Sequence, residues 1–299
     1  MQAISTLYRN DIMQMLKKSW GAMTVNPDNV YQPGNPAILP HIDTMIAGHL
    51  SDKSTIRNMH NLEKLSEMAA QGKSCLLLVE HYSNFDLPVF NYLLRQAGET
   101  GQKAAEKLIA IAGYKLNETN PVVTAFTEAY SRLVIYPSRS LQALKEKNAP
   151  RETLVAELAK SNSINHASLK KLNELKVTDK LILVYPSGTR FRPWDPSTKR
   201  GVREIDSYIR AFDYICLVSM NGGILFINPE GEMHEDNIGR GHVLFNASEP
   251  IATEDFREDV KNRLKDGEDR KQAIVDEVMR RLDVMHQAME AELAALGEA

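Results

Sequence analysis

Short apolar runs alternate with longer, helix-patterned stretches through the middle of the chain. The runs cover residues 75–79, 108–112, 133–136, 181–185 and 215–219. Continuous apolar runs of this length predict strands that are buried on both faces of a parallel sheet. The stretches between them are mostly of helical character. The alternation therefore predicts an α/β fold with a mixed, largely parallel sheet that is flanked by helices.

Helical patterns dominate both ends of the chain. Apolar positions recur at three- and four-residue spacing in residues 1–20 and 41–70, and a proline-containing stretch at 26–40 separates them. A long amphipathic helix is predicted from residue 269 onward, with an apolar stripe that suits packing or a dimer surface. Residues 243–246 are predicted to form an edge strand.

Composition narrows the class of protein. The chain has 299 residues, of which 43% are hydrophobic and 25% charged, as in a soluble globular protein. Its net charge of −3 argues against a dedicated nucleic-acid binder, which would normally carry a strong basic excess. No apolar run approaches the ~20 residues that span a bilayer. The N-terminus shows neither a secretory signal nor a transit peptide, so a cytoplasmic location is expected.

Neither a cofactor nor a metal ion is expected. His41, His49 and His60 lie too far apart for a helical zinc pair. Gly72-Lys73-Ser74 resembles the tail of a P-loop, but it precedes a predicted strand instead of following one. Cys75 and Cys216 both fall in predicted buried strands, which indicates reduced core residues and not a disulfide.

His81 and Asp86 follow the first apolar run directly. Ligands of open α/β sheets bind at the carboxyl ends of strands, where these two residues are expected. Asp86 is also a good N-cap for a helix over 87–97. On one continuous helix the pair would point about 140° apart, so they can meet only if the chain between them turns. A histidine held by a carboxylate keeps one tautomer and is a base through its other nitrogen. The alternative is a polar loop histidine beside a capping aspartate.

A second polar segment follows the run at 181–185 and contains two arginines. It reads Pro186-Ser187-Gly188-Thr189-Arg190-Phe191-Arg192-Pro193. Arginine presents a planar fork of donors that suits phosphate oxygens. Alternate spacing in an extended segment would place Arg190 and Arg192 on one side, as an anion cradle. The alternative is a solvated basic loop.

Together, these segments resemble the glycerolipid acyltransferases that carry a His-x4-Asp motif, above all the soluble, plastid-type glycerol-3-phosphate acyltransferases. His81 and Asp86 match the catalytic motif, and residues 187–192 look like the Ser-Gly-Gly-Arg-Asp-Arg phosphate motif. Residues 111–115 and 133–139 resemble the second block, and 215–220 the fourth. The resemblance covers roughly residues 70–230. It implies a small N-terminal helical domain over 1–70, ahead of an α/β acyltransferase domain over 71–299.

The resemblance also implies roles for individual residues. His81 would be the general base and Asp86 the residue that orients it, while the acceptor phosphate would be held by Arg139, Arg190 and Arg192. Further candidates for substrate binding are Lys115, Ser187, Gly188 and Thr189.

Departures from the family pattern keep the acceptor open. Thr189 and Phe191 replace a Gly and an Asp of the phosphate motif, and Ser138-Arg139-Ser140 stands where the soluble family has a basic pair. Residues 185–190 also lean toward the Pro-Glu-Gly-Thr-Arg form of the lysophosphatidate acyltransferases.

The function expected from this resemblance is transfer of a fatty acyl group to the sn-1 hydroxyl of glycerol 3-phosphate, giving lysophosphatidate. The donor would be acyl carrier protein or coenzyme A carrying the acyl group as a thioester. A lysophosphatidate acyltransferase, a thioester hydrolase and a lipid-phosphate binding protein remain as alternatives. Residues 139–176 carry a local basic excess, which would attract an acidic carrier protein or anionic headgroups in peripheral membrane contact. The alternative is a solvated helical face.

Overall fold

The computed structural model describes residues 1–21, 23–117 and 120–297, and helices alternate with strands through them. The helices are α1 (Ile4–Leu7), α2 (Arg9–Lys18), α3 (Leu39–His49), α4 (Met59–Ala70), α5 (Asp86–Gln96), α6 (Gly98–Lys107), α7 (Pro121–Glu128), α8 (Ser138–Glu146), α9 (Arg151–Leu175), α10 (Ile205–Ala211), α11 (Thr253–Asn262) and α12 (Arg270–Ala295). The strands are β1 (Gln2–Ala3), β2 (Tyr31–Gln32), β3 (Thr55–Arg57), β4 (Cys75–Val79), β5 (Leu108–Gly113), β6 (Arg132–Ile135), β7 (Leu181–Val184), β8 (Tyr214–Gly222), β9 (Leu225–Phe226), β10 (Asn237–Ile238), β11 (Val243–Ala247) and β12 (Ile251–Ala252). The predicted α/β fold with a mixed, largely parallel sheet is confirmed.

The chain forms two compact units, each built from separate segments. The first unit consists of Met1–Arg9, Ile42–Leu108 and Lys176–Ala299. The second unit consists of Asn10–His41 and Ile109–Leu175. The predicted helical domain over residues 1–70 stays a prediction. Within those residues the structure has the helices α1 to α4 together with the short strands β1, β2 and β3.

The sheet of the first unit has β4 in its interior. All five residues of β4 are apolar and buried, as a continuous apolar run requires. β4 pairs in parallel with β7 on one side and with β8 on the other. Parallel neighbours align their carboxyl ends, so the segments that follow β4 and β7 emerge at the same edge of the sheet. Cys75 and Cys216 are buried and not disulfide-bonded, as predicted.

Beyond β8 the sheet continues to β11 and then to β3. β11 pairs antiparallel with β8 and in parallel with β3. The prediction of an edge strand at 243–246 is therefore wrong, because both sides of β11 carry a neighbour. The reason is β3, a three-residue strand inside a segment that was predicted to be helical. Asn58, at a positive φ of 57°, separates β3 from α4.

The second unit has its own strand order, β2, β6 and β5. β5 and β6 are parallel, and β2 pairs antiparallel with β6. The long helix α9 packs against β6 and buries Ile164 and Leu172. The Ser168 hydroxyl of α9 donates to the Val134 carbonyl of β6 at 2.5 Å. None of the helices in the described parts of the chain is both long and apolar enough to cross a membrane.

The C-terminal helix α12 packs on β8 and β11 within the first unit. Residues of its predicted apolar stripe are buried there, namely Ile274, Val278, Leu282 and Met289. The interpretation of the stripe as a packing surface is confirmed. In the first half of α12, the carboxylate of Glu277 accepts hydrogen bonds from Arg280 and Arg281. It also forms an ion pair with Arg263 at the end of α11. The hydrogen bond from Arg280 contributes most to lowering the pKa of Glu277 to about 2.

This depressed pKa makes the packing of α12 dependent on pH. The carboxyl of Glu277 has a pKa of 4.5 in the unfolded chain, and above that pH it contributes its full stabilisation to the fold. The stabilisation is lost as pH falls toward 2. We therefore expect the free energy of unfolding in urea to be higher for wild type than for Glu277→Gln. The difference should be largest at neutral pH and should shrink between pH 5 and 2. Glu258→Gln, on the exposed face of α11, is the matched control and should show no such trend. A difference that stays constant down to pH 2 would contradict the assignment.

Candidate active site

The turn between β4 and α5 brings His81 and Asp86 together. Nδ1 of His81 lies 2.9 Å from Oδ2 of Asp86. Because a carboxylate oxygen only accepts, the proton of the imidazole lies on Nδ1 and Nε2 is left as the basic nitrogen. The turn that the spacing required is present, and the pair is formed.

Asp86 is fully buried and its carboxylate is surrounded by donors. Oδ2 accepts from the backbone N–H of Tyr82 at 2.6 Å, and the N–H of Ser83 lies 2.9 Å from both oxygens. The hydroxyl of Ser83 donates to Oδ1 at 2.7 Å. The prediction of Asp86 as N-cap is wrong: Phe85 occupies that position and Asp86 begins α5. The carboxylate reaches backward into the turn instead of capping the helix.

The imidazole of His81 is held by stacking as well as by Asp86. Its ring lies 3.9 Å from the ring of Tyr185, with an interplanar angle of 11°. The carbonyl of His81 accepts from the N–H of Phe191 at 2.8 Å. A backbone hydrogen bond therefore joins the two predicted motifs, one after β4 and one after β7.

The segment after β7 begins with a tight turn. Gly188 donates its N–H to the Tyr185 carbonyl at 2.9 Å and has a φ of +62°, which favours glycine at this position. The hydroxyl of Ser187 is buried and donates to the carbonyl of Thr189 at 2.7 Å. Ser187 and Gly188 thus shape the turn that presents the two arginines.

Arg190 and Arg192 bind different partners. Arg190 forms an ion pair through Nη1 with Asp236, whose side chain is 1% exposed. Burial raises the pKa of Asp236, and the charge of Arg190 opposes that rise. Nη1 of Arg192 lies 3.4 Å from the hydroxyl of Thr189, and the chain turns directly after it, since Asp195 donates its N–H to the Arg192 carbonyl.

Arg139 and Lys115 lie in the second unit. Arg139 is in the first turn of α8, and Lys115 is in the short 3₁₀ helix Tyr114–Asn117. Both side chains are exposed. Their roles in substrate binding stay predictions.

A small, open surface pocket with room for about one water molecule lies beside the histidine. His81 and Tyr82 line it from the β4 side, and Ser187, Phe191 and Lys199 line it from the β7 side. Lys199 forms an ion pair with Asp283 of α12 in which both side chains are more than one third exposed. Sequence reasoning missed Lys199, which lies outside the motif and has no local pattern.

Two further buried acids near the motifs were also missed. Asp236 lies in a polar loop that gives no sign of burial in the sequence. Glu80 is 4% exposed and follows the apolar run of β4, directly before His81. A charged residue immediately after a buried strand is a signal that could have identified it. Across residues 1–21, 23–117 and 120–297, no group of three or more His, Cys, Asp or Glu side chains is placed to hold a metal ion.

Residues 54–212, more than half of the chain, match the sequence profile of the acyltransferase family. The chain belongs to the acyltransferase family. The matched region contains β4, β7 and both motif segments. This acyltransferase therefore has its His81–Asp86 pair and the arginine turn, residues 186–193, inside the family domain. No curated protein matches the chain.

The buried ion pair gives Arg190 a structural role that Arg192 lacks. We expect Arg190→Ala to lower the free energy of unfolding by about 3 kcal/mol, because it leaves the buried Asp236 carboxylate without its cation. Adding Asp236→Asn to that variant should recover part of the loss. Arg192→Ala should change stability by less than about 1 kcal/mol. Denaturant unfolding of the four proteins measures this, and equal losses in both single variants would contradict it.

Proposed function

We propose that this acyltransferase moves a fatty acyl group from an acyl-thioester to the sn-1 hydroxyl of glycerol 3-phosphate, giving lysophosphatidate. The observation that carries the proposal is the His81–Asp86 hydrogen bond, beside a pocket that Ser187 and Phe191 of the arginine-containing segment also line. The pair supplies a base for a hydroxyl group. The turn supplies cations for an acceptor that carries a phosphate.

In this mechanism Nε2 of His81 takes the proton of the acceptor hydroxyl as its oxygen attacks the thioester carbonyl. The new C–O bond forms, the C–S bond breaks, and the leaving thiolate takes the proton from the imidazolium. Asp86 stabilises the charged imidazole and fixes its tautomer through Nδ1. Holding the hydroxyl against the base supplies a large part of the rate enhancement.

Direct attack is favoured over a covalent acyl-enzyme. The hydroxyl of Ser83 is buried, donates to Asp86 and accepts from the N–H of Phe85. The hydroxyl of Ser187 is turned toward the Thr189 carbonyl. Burial raises the pKa of the Cys75 and Cys216 thiols to about 12, so neither supplies a thiolate at neutral pH.

The acceptor phosphate would bind Arg192 chiefly, with Arg190 of the same unit as a further candidate. Arg139, in the second unit, stays a candidate on the family resemblance alone. Arg190 uses Nη1 for Asp236, and its guanidinium carries other N–H groups that can donate. A lysophosphatidate acceptor also carries a phosphate, so it remains the second candidate. A thioester hydrolase is disfavoured, since water requires no cationic turn beside the base.

The donor would be acyl carrier protein or coenzyme A in thioester linkage. The basic excess over residues 139–176 favours an acidic carrier or an anionic membrane surface as the docking partner. Lys170 is exposed on α9. Lys176 donates to the Ala211 carbonyl at 2.6 Å in the first unit, so it is tied to the protein and contributes less to such a surface.

The acceptor dependence of thiol release tests the proposed reaction. Purified protein with an acyl-thioester should release thiol only when glycerol 3-phosphate is added. Release that needs no acceptor would indicate a hydrolase. Faster release with lysophosphatidate than with glycerol 3-phosphate would move the acceptor assignment to the second candidate.

The roles of the pair are tested by His81→Ala and Asp86→Asn. We expect His81→Ala to abolish transfer with the fold intact, because the buried Asp86 keeps its donors from Tyr82 and Ser83. Asp86→Asn should lose about 10⁴-fold in kcat if the wrong tautomer is as costly as in a serine protease. Circular dichroism checks folding, and near-normal turnover of His81→Ala would overturn the mechanism.

The phosphate role is tested best at Arg192, which forms no ion pair with a buried acid within residues 1–21, 23–117 and 120–297. Arg192→Ala should raise the KM for the acceptor by about 10- to 100-fold, as a lost charge-assisted hydrogen bond of about 1.5–3 kcal/mol implies. The KM for the thioester should stay within twofold. Arg192→Lys should rescue only in part, since an ammonium cannot bind bidentately. An equal rise in both KM values would show that Arg192 holds something other than the acceptor.

A further inference from the structure

Directly before His81, the carboxylate of Glu80 is the centre of a buried hydrogen-bonded cluster. Oε2 accepts from the backbone N–H of Met220 on β8 at 2.9 Å. Oε1 accepts from the hydroxyl of Tyr82 at 2.9 Å. Nδ1 of His286, on α12, lies 2.9 Å from Oε2 and 3.1 Å from the Tyr82 oxygen. A glutamate at the end of a buried strand requires such partners, because an unpaired buried carboxylate is costly.

His286 faces a carboxylate at each ring nitrogen. Nδ1 meets Glu80, and Nε2 lies 2.9 Å from Oε1 of Glu290 one turn along α12. The carbonyl of His286 accepts from the side chain of Asn221 at 3.0 Å, which fixes this part of the helix against β8. Two carboxylates on opposite nitrogens suit an imidazolium, which donates from both.

Tyr82 connects this cluster to the site. Its hydroxyl end is held by Glu80 and His286, and its backbone N–H donates to Oδ2 of Asp86. That oxygen is the one that receives Nδ1 of His81. The ring of Tyr82 is also in edge contact with Phe191, at 6.0 Å between centroids. A shift of Tyr82 would therefore move the donor that fixes Asp86, and with it the imidazole.

We propose that Glu80 and His286 are positioning residues that act through Tyr82 on the Asp86–His81 pair. Helix α12 thereby sets the orientation of the base through His286, which lies 206 positions along the chain from Glu80. The role assigned to this cluster rests on the proposed function of His81. His286 does not line the pocket beside His81, so its contribution is to the geometry of the pair and not to substrate contact.

The charge on His286 gives the proposal a pH signature. Burial lowers the pKa of His286, but the hydrogen bond and charge of Glu80, with Glu290, outweigh burial and raise it, while Lys199 opposes them. Burial, followed by the charges of Glu80, Asp86 and Asp283, raises the pKa of Tyr82, which stays a neutral donor. The imidazolium is present below the raised pKa and is lost as pH rises through it. Glu80 then loses its cation, and kcat should decline on the alkaline side.

The experiment compares Tyr82→Phe, His286→Ala and His286→Asn with wild type. Asparagine places an amide N–H near the position of Nδ1, so it keeps a donor to Glu80 without a charge. Val284→Ala, on the exposed side of α12, is the matched control. The kcat, both KM values and the pH profile are measured, with the uncatalysed thioester hydrolysis subtracted at each pH. Thermal unfolding monitors the fold.

We expect His286→Ala and Tyr82→Phe to lower kcat about 10- to 100-fold, because misplacing a reacting group by about 1 Å costs about 100-fold. Both KM values should stay within twofold. His286→Asn keeps a neutral donor to Glu80, so at every pH it should show the reduced kcat that the wild type reaches on the alkaline side, and the alkaline decline should be absent. Val284→Ala should match wild type. An unchanged kcat and pH profile in His286→Ala, or a loss that appears only in KM, would overturn the proposal.

A readout that needs no turnover separates this inference from the proposed function. The Nδ1–H of His81, donated to Asp86, should give a slowly exchanging proton signal in NMR spectra of the wild-type protein. In His286→Ala it should exchange faster, and in Val284→Ala it should not change. If wild type shows no acceptor-dependent transfer, the proposed function fails and the NMR comparison still decides the positioning role. If transfer is normal and the signal is identical in all variants, the positioning role alone fails.

Discussion

The site depends on one constraint, which is that the carboxylate of Asp86 is completely buried. A buried carboxylate is tolerated only when donors replace the lost water. Here they come from the N–H groups of Tyr82 and Ser83, the Ser83 hydroxyl and Nδ1 of His81. All four lie within five residues of Asp86, so satisfying the buried charge and folding the turn are the same event. The orientation of His81 follows from that event, which leaves the imidazole positioned before any substrate binds.

Periodicity predicted the elements around this turn and did not predict its detail. The continuous apolar runs identified β4, β7 and β8 as buried strands, and the five-residue spacing of His81 and Asp86 required a turn between them. The capping role of Asp86 was wrong because an aspartate at a helix start has two sets of backbone N–H groups within reach. The residue type alone does not tell whether the carboxylate accepts from N–H groups of the helix that follows or from those of the turn that precedes it. β3 was missed for a different reason, since three residues carry too little pattern to compete with the helices on either side.

The partners that come from far along the chain had no signal in the sequence. Asp236 meets Arg190 across 46 positions, and His286 meets Glu80 across 206. Each partner alone is an ordinary polar residue of a loop or a helix. Only Glu80 stands out, because a charged residue that ends an apolar run must find donors in the core. The fold supplies such partners from β8 and from α12, and these contacts are the basis of the proposed role of the C-terminal helix in positioning His81.

The need to pair buried charges also gives the cations near this turn different roles. Arg190 balances Asp236, so under the proposed function a phosphate would meet a guanidinium whose charge is already partly compensated. Withdrawing it fully would leave a buried acid unpaired. Lys199 is paired with Asp283, but both side chains are exposed enough for water or a ligand to replace one partner at little cost. The side chain of Arg192 contacts the Thr189 hydroxyl in the turn. A phosphate would therefore gain most from Arg192, and Arg190 would contribute chiefly by holding the turn in place.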